Sequence, residues 1–107
     1  MITRTAIFEG SFPEGNEARF FAGVEERLAP MWRIFPHALD VRWFRMDSAD
    51  ADARPVVMIQ QIDYPSHEAL AAAISSPVRD KARAITLELM ELLDGRFYHF
   101  ISEGGAR

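Results

Sequence analysis

Bulky apolar side chains occupy consecutive residues at two places in this chain, at 56–59 and at Trp43-Phe44. Side chains alternate between the two faces of a β-strand, so consecutive apolar residues place apolar groups on both faces of a sheet. The two segments belong to a set of four predicted strands, over 2–9, 38–46, 55–63 and 96–102. A soluble monomer rarely exposes a large apolar patch, so the pattern predicts that each face of the sheet packs against other protein elements.

One helix is predicted between the first and second strands. Asn16 is a suitable N-cap, and Pro30 is expected to end the helix because proline lacks a backbone N–H. Apolar residues recur in this stretch at helical spacing, at Phe20, Phe21, Val24, Leu28 and Met31. That spacing predicts one face packed against the sheet.

Two further helices are predicted between the third and fourth strands. Ser66 is expected to cap a helix over 67–74, and Ser76 to cap a longer helix over 77–93. Gly95 is expected to end the longer helix in the left-handed conformation. A regular apolar stripe runs along that helix, at Val78, Ala82, Ile85, Leu89 and Leu92.

The predicted order is therefore β-α-β-β-α-β, with the second helical region split before Pro77. Right-handed crossovers place both helical regions on one face of a four-stranded antiparallel sheet, the ferredoxin-like α+β arrangement. We expect one domain over 1–103 and a flexible C-terminal tail over 104–107. The helices cover only one face, so the other is expected to pair with a second copy, giving a homodimer through the sheet.

Composition and charge narrow the classes of function. The 107 residues fit one domain, and 49% hydrophobic and 26% charged residues are ordinary globular values. The net charge is −4 and the 12 basic residues are scattered, so a nucleic-acid partner is not expected. The chain has no cysteine, which excludes disulfides, thiolate metal sites and a cysteine nucleophile. No membrane span or signal peptide is evident, so a cytoplasmic location without membrane association is expected.

Three motifs carry a resemblance to a known superfamily. They are Phe-Pro-His at 35–37 leading into Leu-Asp-Val-Arg at 39–42, Ile-Asp-Tyr-Pro-Ser-His-Glu-Ala-Leu at 62–70, and Ala-Ala-Ala-Ile-Ser-Ser-Pro-Val-Arg at 71–79. The chain resembles the dimeric α+β-barrel superfamily, and is most similar to the ethyl tert-butyl ether degradation (EthD) group and the antibiotic-biosynthesis monooxygenases. The resemblance implies a dimeric barrel, but no catalytic motif of these proteins is found in this sequence.

Two histidines are the candidates for catalysis. His99 lies in the middle of the fourth predicted strand between apolar residues, and an imidazole there is suited to act as a general base. The alternative is a histidine buried in the core or at the dimer contact. His37 follows a proline at the start of the second strand, where pocket rims form; its alternative is an exposed loop residue. His67 is expected to be a solvated residue at a helix start.

The candidates for ligand binding are Arg42, Trp43, Gln60 and Tyr98. An arginine inside a pocket can hold a carboxylate or an enolate. Gln60 is able to orient a ligand or to satisfy a buried group. Strand alternation places Tyr98 on the opposite face from His99, so the two are not expected to line one pocket within a subunit.

Arg42 also has a structural alternative, which is an ion pair across the dimer contact. The acidic partners considered are Asp40, Asp63 and Glu9. A set of aromatic residues is likewise able either to surround a planar ligand or to form ordinary core: Phe8, Phe20, Phe21, Trp43, Phe44 and Phe97.

No metal or cofactor is expected. Asp47, Asp50 and Asp52 share one connection, but the turn glycine and terminal glutamate of a calcium-binding EF-hand loop are missing. The three histidines lie on different predicted elements and show no metal-ligand spacing. Haem is the alternative, and it requires a histidine beside a large apolar slot.

Three functions follow from the resemblance together with these residues. The first is a small cofactor-independent enzyme, of monooxygenase, cyclase or isomerase type, acting on a hydrophobic aromatic or polyketide-like molecule. His99 or His37 would act as base, and Arg42 would stabilise an anion. The second is a non-catalytic accessory or small-molecule-binding protein of a degradation or biosynthesis pathway. The third is a haem-handling protein of the same fold.

Overall fold

The computed structural model describes residues 1–104. The predicted tail over 104–107 lies outside the described residues except at Gly104, whose N–H donates to the carbonyl of Met1 at 2.9 Å. The elements in chain order are β1 (Ile2–Ser11), α1 (Asn16–Gly23), a π-helical turn (Val24–Leu28), α2 (Ala29–Trp32), β2 (Asp40–Arg45), β3 (Val56–Tyr64), α3 (His67–Ile74), α4 (Pro77–Leu89), a 3₁₀ turn (Met90–Leu92) and β4 (Asp94–Glu103).

The four strands form one antiparallel sheet in the order β2-β3-β1-β4. The predicted β-α-β-β-α-β order and the α+β class are confirmed. β1 and β3 occupy the centre, so the strand that begins the domain is paired on both sides. Within residues 1–104, the helices pack on one face of this sheet and no helix lies on the other.

The hydrophobic core lies between the sheet and the helices. Its largest fully buried side chains are Phe20 and Leu28 from the first helical region and Met58 and Tyr64 from β3, with Val24 beside them. Burying one such side chain stabilises the fold by about 1.5–3 kcal/mol. The predicted helical spacing of the first helix is thereby confirmed, since its apolar face is the one that meets the sheet.

Pro30 does not end the first helix, and that prediction is wrong. α1 passes into the π-helical turn, and α2 then continues through Pro30 to Trp32. A proline ring clashes with the carbonyl four residues earlier in a regular α-helix, and a wider turn just before it relieves that clash. The continuation carries Trp32 to the sheet, where it is buried.

Asn16 is not the N-cap of α1, which corrects the second expectation for this helix. Gly15 takes the capping position with φ of 85°, a left-handed conformation that glycine adopts without steric cost. Asn16 is the first helical residue instead, and its side-chain Nδ2 donates to the carbonyl of Leu92 at 3.2 Å. The amide therefore ties the start of α1 to the end of the helical region that follows β3.

The split in the second helical region is confirmed. Ser66 Oγ accepts a hydrogen bond from the N–H of Ala69 at 3.1 Å, which caps α3. Ser76 Oγ accepts from the N–H of Arg79 at 3.3 Å and caps α4, whose first residue is a proline. Each cap satisfies a backbone donor that has no partner inside its helix, so the chain turns between α3 and α4 without losing that bond.

Gly95 does not end α4, and its predicted left-handed conformation is wrong. It lies inside β4 opposite Gly10, which has φ of +145°. A Cβ added to Gly95 would lie 1.9 Å from the Glu9 carbonyl oxygen, and one added to Gly10 would lie 2.2 Å from the Asp94 carbonyl oxygen. The two glycines are therefore required by the close approach of β1 and β4.

The face of the sheet without helices carries one apolar row that crosses all four strands. The row consists of Phe44, Ile59, Ile7 and Tyr98, in the order in which they pair across the sheet. Phe100 lies in the next row and is 59% exposed. The prediction of apolar groups on both faces is confirmed, since Met58 is buried under the helices while its neighbour Ile59 points the other way.

Candidate functional site

A cavity of about 50 Å³ lies between the sheet and the helices. Its walls come from three strands, the end of the first helical region and one face of α4. The lining residues are Arg4, Ala6, Phe8, Trp32, Phe35, Gln60, Ile62, Arg79, Ala82, Arg83, Thr86, Phe97 and His99.

Simple periodicities of strand and helix bring these side chains together. Residues two apart on a strand share a face, so Arg4 and Ala6 point to the same side of β1, and His99 on β4 pairs directly with Ala6. Residues four apart share a face of a helix, which places Arg79 and Arg83 together on α4. β1, β4 and α4 thus direct their polar groups into one space.

Positive charge dominates the cavity. Arg4, Arg79 and Arg83 all line it, and none of its lining residues is acidic. Within residues 1–104, the only carboxylate paired with any of the three is Asp80, whose Oδ1 lies 3.9 Å from Arg79 Nη1. The Arg83 guanidinium lies over the Phe97 ring, 6.0 Å from its centroid. The three guanidinium groups therefore have little internal compensation.

His99 is neutral in this environment. Burial, together with the nearby charges of Arg4, Arg79 and Arg83, lowers its pKa to about 4. Burial also lowers the pKa of Arg4, and Arg79 and Arg83 add to that effect. At pH 7 the cavity accordingly contains an uncharged imidazole that is able to accept a proton, next to arginine cations.

Two of the six predicted site residues line this cavity, His99 and Gln60. Trp43 lies on the same face of the sheet but packs against Phe21, with ring centroids 6.4 Å apart, and does not line the cavity. His37 is an exposed residue of the connection before β2, with φ of 63°. The histidines are thus far from equivalent: one lines the cavity, and the other occupies a surface turn.

Arg42 and Tyr98, the remaining two, lie on the opposite face of the sheet. Arg42 Nη1 donates to Asp63 Oδ2 at 2.8 Å and to Asp40 Oδ2 at 3.0 Å, and its Nε donates to Gln61 Oε1 at 2.9 Å. The Arg42 guanidinium holds the pKa of Asp63 below its usual range. The predicted acidic partners of Arg42 therefore include two correct residues, and the pairs observed lie within one chain.

Tyr98 belongs to a second polar cluster on that face, around the buried carboxylate of Glu9. Tyr98 Oη donates to Glu9 Oε2 at 2.9 Å, Arg96 Nε donates to Glu9 Oε1 at 3.0 Å, and Arg54 forms two hydrogen bonds with the same carboxylate. The Arg54 guanidinium, with Tyr98 and Arg96, lowers the pKa of Glu9 to about 2. The carboxylate is thus ionised at neutral pH and fully engaged.

Sequence reasoning did not identify Arg4, Arg79, Arg83 and Thr86 as members of the site. Two signals were present: Arg4 has the same strand parity as the buried Ala6, and Arg79 and Arg83 are four residues apart on one helix. Neither signal says which residues of β1 face those of α4, because that depends on the crossover between them. The packing of α4 against β1 and β4 supplies this information.

The described part of the chain offers little for a bound metal. Within residues 1–104, no group of three histidine, aspartate or glutamate side chains is positioned to hold a metal ion. The single histidine in the cavity faces a space far smaller than the roughly 300–1,000 Å³ of a site for a larger organic ligand. In the same range of residues, no helix combines the length and the apolar character needed to cross a membrane.

Solved structures share this architecture over nearly the whole chain. An ethyl tert-butyl ether degradation (EthD) family protein from Bacillus halodurans C-125 is 21% identical, with a TM-score of 0.75 over 98% of this chain and 99% of that one. An antibiotic biosynthesis monooxygenase is 14% identical, with a TM-score of 0.67 over 99% of this chain and 100% of that one.

A third similar structure is that of a protein from Thermobifida fusca YX described as a dimeric ferredoxin-like protein of unknown function. It is 12% identical, with a TM-score of 0.65 over 94% of this chain and 88% of that one. No protein-family model matches the chain, and no curated protein matches it. The chain therefore has the ferredoxin-like α+β fold, and its structural neighbours include an EthD family protein and antibiotic biosynthesis monooxygenases.

Proposed function

We propose that this protein is a small cofactor-independent enzyme that removes a proton from a hydrophobic aromatic or polyketide-like molecule. The observation that carries the proposal is the neutral imidazole of His99 in a cavity lined by apolar and aromatic residues. A general base must be unprotonated before it acts, and His99 meets that requirement throughout the neutral pH range. Arginine side chains act only as hydrogen-bond donors, so among the ionisable residues that line the cavity His99 is the base.

The chemistry begins with transfer of a proton from an acidic C–H or O–H of the substrate to a ring nitrogen of His99. The products of this step are an imidazolium ion and a substrate enolate or phenolate. The positive charges of Arg4, Arg79 and Arg83 stabilise the anion as it forms. The new anion in turn raises the pKa of His99, so the base becomes stronger as the reaction proceeds.

The three reaction types differ only in what the substrate anion does next. In an isomerisation it regains the proton at a different carbon, and in a cyclisation it attacks a carbonyl carbon of the same molecule. In a cofactor-free oxygenation it gives one electron to O₂, the substrate radical and superoxide then combine through a new C–O bond, and the peroxide anion so formed takes the proton from the His99 imidazolium. Of these reactions, the oxygenation is supported by analogy of fold with the neighbour described as an antibiotic biosynthesis monooxygenase.

A second candidate function is that of a non-catalytic accessory or small-molecule-binding protein. The observation in its favour is the cavity volume of about 50 Å³, which holds only one end of an aromatic molecule. Such a protein would need the apolar walls and the arginines but not a neutral His99. Haem handling is the third alternative, and this volume gives it no support.

We also propose that the protein is a homodimer through the face of the sheet without helices. The apolar row Phe44, Ile59, Ile7 and Tyr98 gives that face a continuous apolar strip. The ion-pair clusters of Glu9 and Asp63 lie on either side of the strip, which is the arrangement of an apolar interface centre with a polar rim. The neighbour described as a dimeric ferredoxin-like protein is consistent with this proposal.

The enzymatic proposal predicts that His99→Asn abolishes most turnover. A series of phenolic and 1,3-dicarbonyl compounds is incubated with the protein, with O₂ uptake and product masses recorded. For any compound turned over by the wild type, His99→Asn is expected to lower kcat by about 10²–10⁴-fold, the usual contribution of a general base. His67→Asn, an exposed substitution on α3, serves as the matched control and is expected to retain full activity.

Equal kcat values for the wild type and His99→Asn would contradict the assignment of the base. Binding of these compounds without turnover of any of them would instead favour the accessory function.

A further inference from the structure

We propose that Arg4, Arg79 and Arg83 form a recognition site for the carboxylate of an aromatic acid. This inference deepens the proposed function by naming the substrate class, and it rests on the same cavity. The charged end of the acid enters between β1 and α4, and its ring lies against the aromatic wall.

The first support is a contrast between arginines within the same chain. On the face without helices, Arg42 pairs with Asp63, while Arg54 and Arg96 pair with Glu9. The cavity lies on the other face, and there three arginines converge without a carboxylate among the lining residues. Converging like charges repel one another, and a bound anion removes that repulsion.

The second support is the chemistry of the lining. Guanidinium groups present paired N–H donors that match the two oxygens of a carboxylate. Gln60 adds a neutral amide, whereas the Thr86 hydroxyl already donates to the Ala82 carbonyl at 2.9 Å. The site therefore offers donors on several sides and no competing anion.

The third support distinguishes an organic acid from an inorganic anion. Aromatic rings form a large part of the wall, from Phe8, Phe97, Trp32 and Phe35. The Phe8 and Phe97 rings are stacked, with centroids 5.4 Å apart and an angle of 16° between their planes. A phosphate ion makes poor use of such a wall, whereas a benzoate ring packs against it.

The cavity is large enough for the charged end of the acid but not for the whole molecule. About 50 Å³ admits a carboxylate group and little more. Arg83 is exposed and therefore lies at the solvent side of the site, while Arg4 is partly buried. The ring of the acid accordingly lies at the open side of the cavity, against the half-buried Phe97 of the aromatic wall.

The test is isothermal titration calorimetry at pH 7 and low ionic strength with three probes: benzoate, benzamide and inorganic phosphate. Benzoate and benzamide have nearly the same shape and differ in charge. Benzoate is expected to bind the wild type at least about tenfold more tightly than benzamide, because its hydrogen bonds to the arginines are charge-assisted. Phosphate is expected to bind more weakly than benzoate.

Matched substitutions locate the binding site. Arg79→Gln and Arg83→Gln are each expected to weaken benzoate binding about tenfold and to leave benzamide binding unchanged. Arg19→Gln, an exposed substitution on α1 outside the cavity, is expected to change neither. The unliganded stability of Arg79→Gln and Arg83→Gln should equal or exceed that of the wild type, because a repulsion is removed. A merely structural arginine would show the opposite effect.

Several outcomes would overturn the inference. The first two are equal affinities for benzoate and benzamide, and no measurable binding of benzoate at millimolar concentration. The other two are tighter binding of phosphate than of benzoate, and an affinity for benzoate that neither arginine substitution changes. These outcomes can be distinguished from a failure of the enzymatic proposal. Arginine-dependent benzoate binding without any turnover would sustain this inference alone, whereas His99-dependent turnover of uncharged substrates would sustain only the enzymatic proposal.

Discussion

Replacing Ile59 with lysine is expected to convert a dimer into a monomer at micromolar concentration. Ile59 lies in the apolar row on the face of the sheet without helices, between Phe44 and Ile7. In the proposed dimer a lysine there would bury its charge without a partner, which is costly. We expect self-association to weaken at least about a hundredfold, equivalent to roughly 3 kcal/mol. Sedimentation velocity over a concentration series measures this.

Ile34→Lys is the matched control, because Ile34 is 67% exposed and lies in the connection after α2 rather than on the sheet. It is expected to leave the dimer intact. A wild-type protein that sediments as a folded monomer at micromolar concentration would contradict the proposed dimer. So would an Ile59→Lys variant that associates as tightly as the wild type.

Gly95→Ala is expected to destabilise the protein by about 3 kcal/mol or more, since overpacking of this kind forces backbone to shift. The added methyl group would meet the Glu9 carbonyl oxygen at 1.9 Å, and that oxygen belongs to the backbone of the central strand β1. Neither strand is able to move without breaking the β1–β4 pairing next to the Glu9 cluster. Denaturant unfolding measures the loss.

Gly104→Ala provides the control, since its Cβ would lie 3.7 Å from the Met1 carbonyl oxygen, an ordinary contact. Its free energy of unfolding should stay within about 0.5 kcal/mol of the wild-type value. If Gly95→Ala unfolded at the same denaturant concentration as the wild type, the close approach of β1 and β4 would be incorrect.

Local patterns in the sequence were sufficient to predict most of the fold. The caps Ser66 and Ser76 act within three residues of their own positions, so the split between α3 and α4 is encoded locally. The failures involve Asn16 and Gly95, which contact partners elsewhere in the chain, and Pro30, which the π-helical turn before it accommodates. Asn16, for example, bonds to the carbonyl of Leu92, and no local pattern reveals that contact.

The site was predictable only in part for the same reason. His99 was identified because a polar residue in the middle of an apolar strand stands out. Arg4, Arg79 and Arg83 look like ordinary surface charges in the sequence, and only the packing of α4 across β1 and β4 brings them to one cavity. Arg42 was chosen as the anion stabiliser because it adjoins aromatic residues, yet the sheet places it on the other face among carboxylates.

The most direct test of the central claim is an NMR titration of the His99 ring between pH 3 and pH 8, with its resonance assigned by its loss in His99→Asn. Burial and the three arginines are expected to hold the pKa of the ring at about 4, so that it stays neutral at pH 7. A titration midpoint at or above the ordinary histidine value of about 6.5 would contradict both the neutral base and the uncompensated positive charge around it.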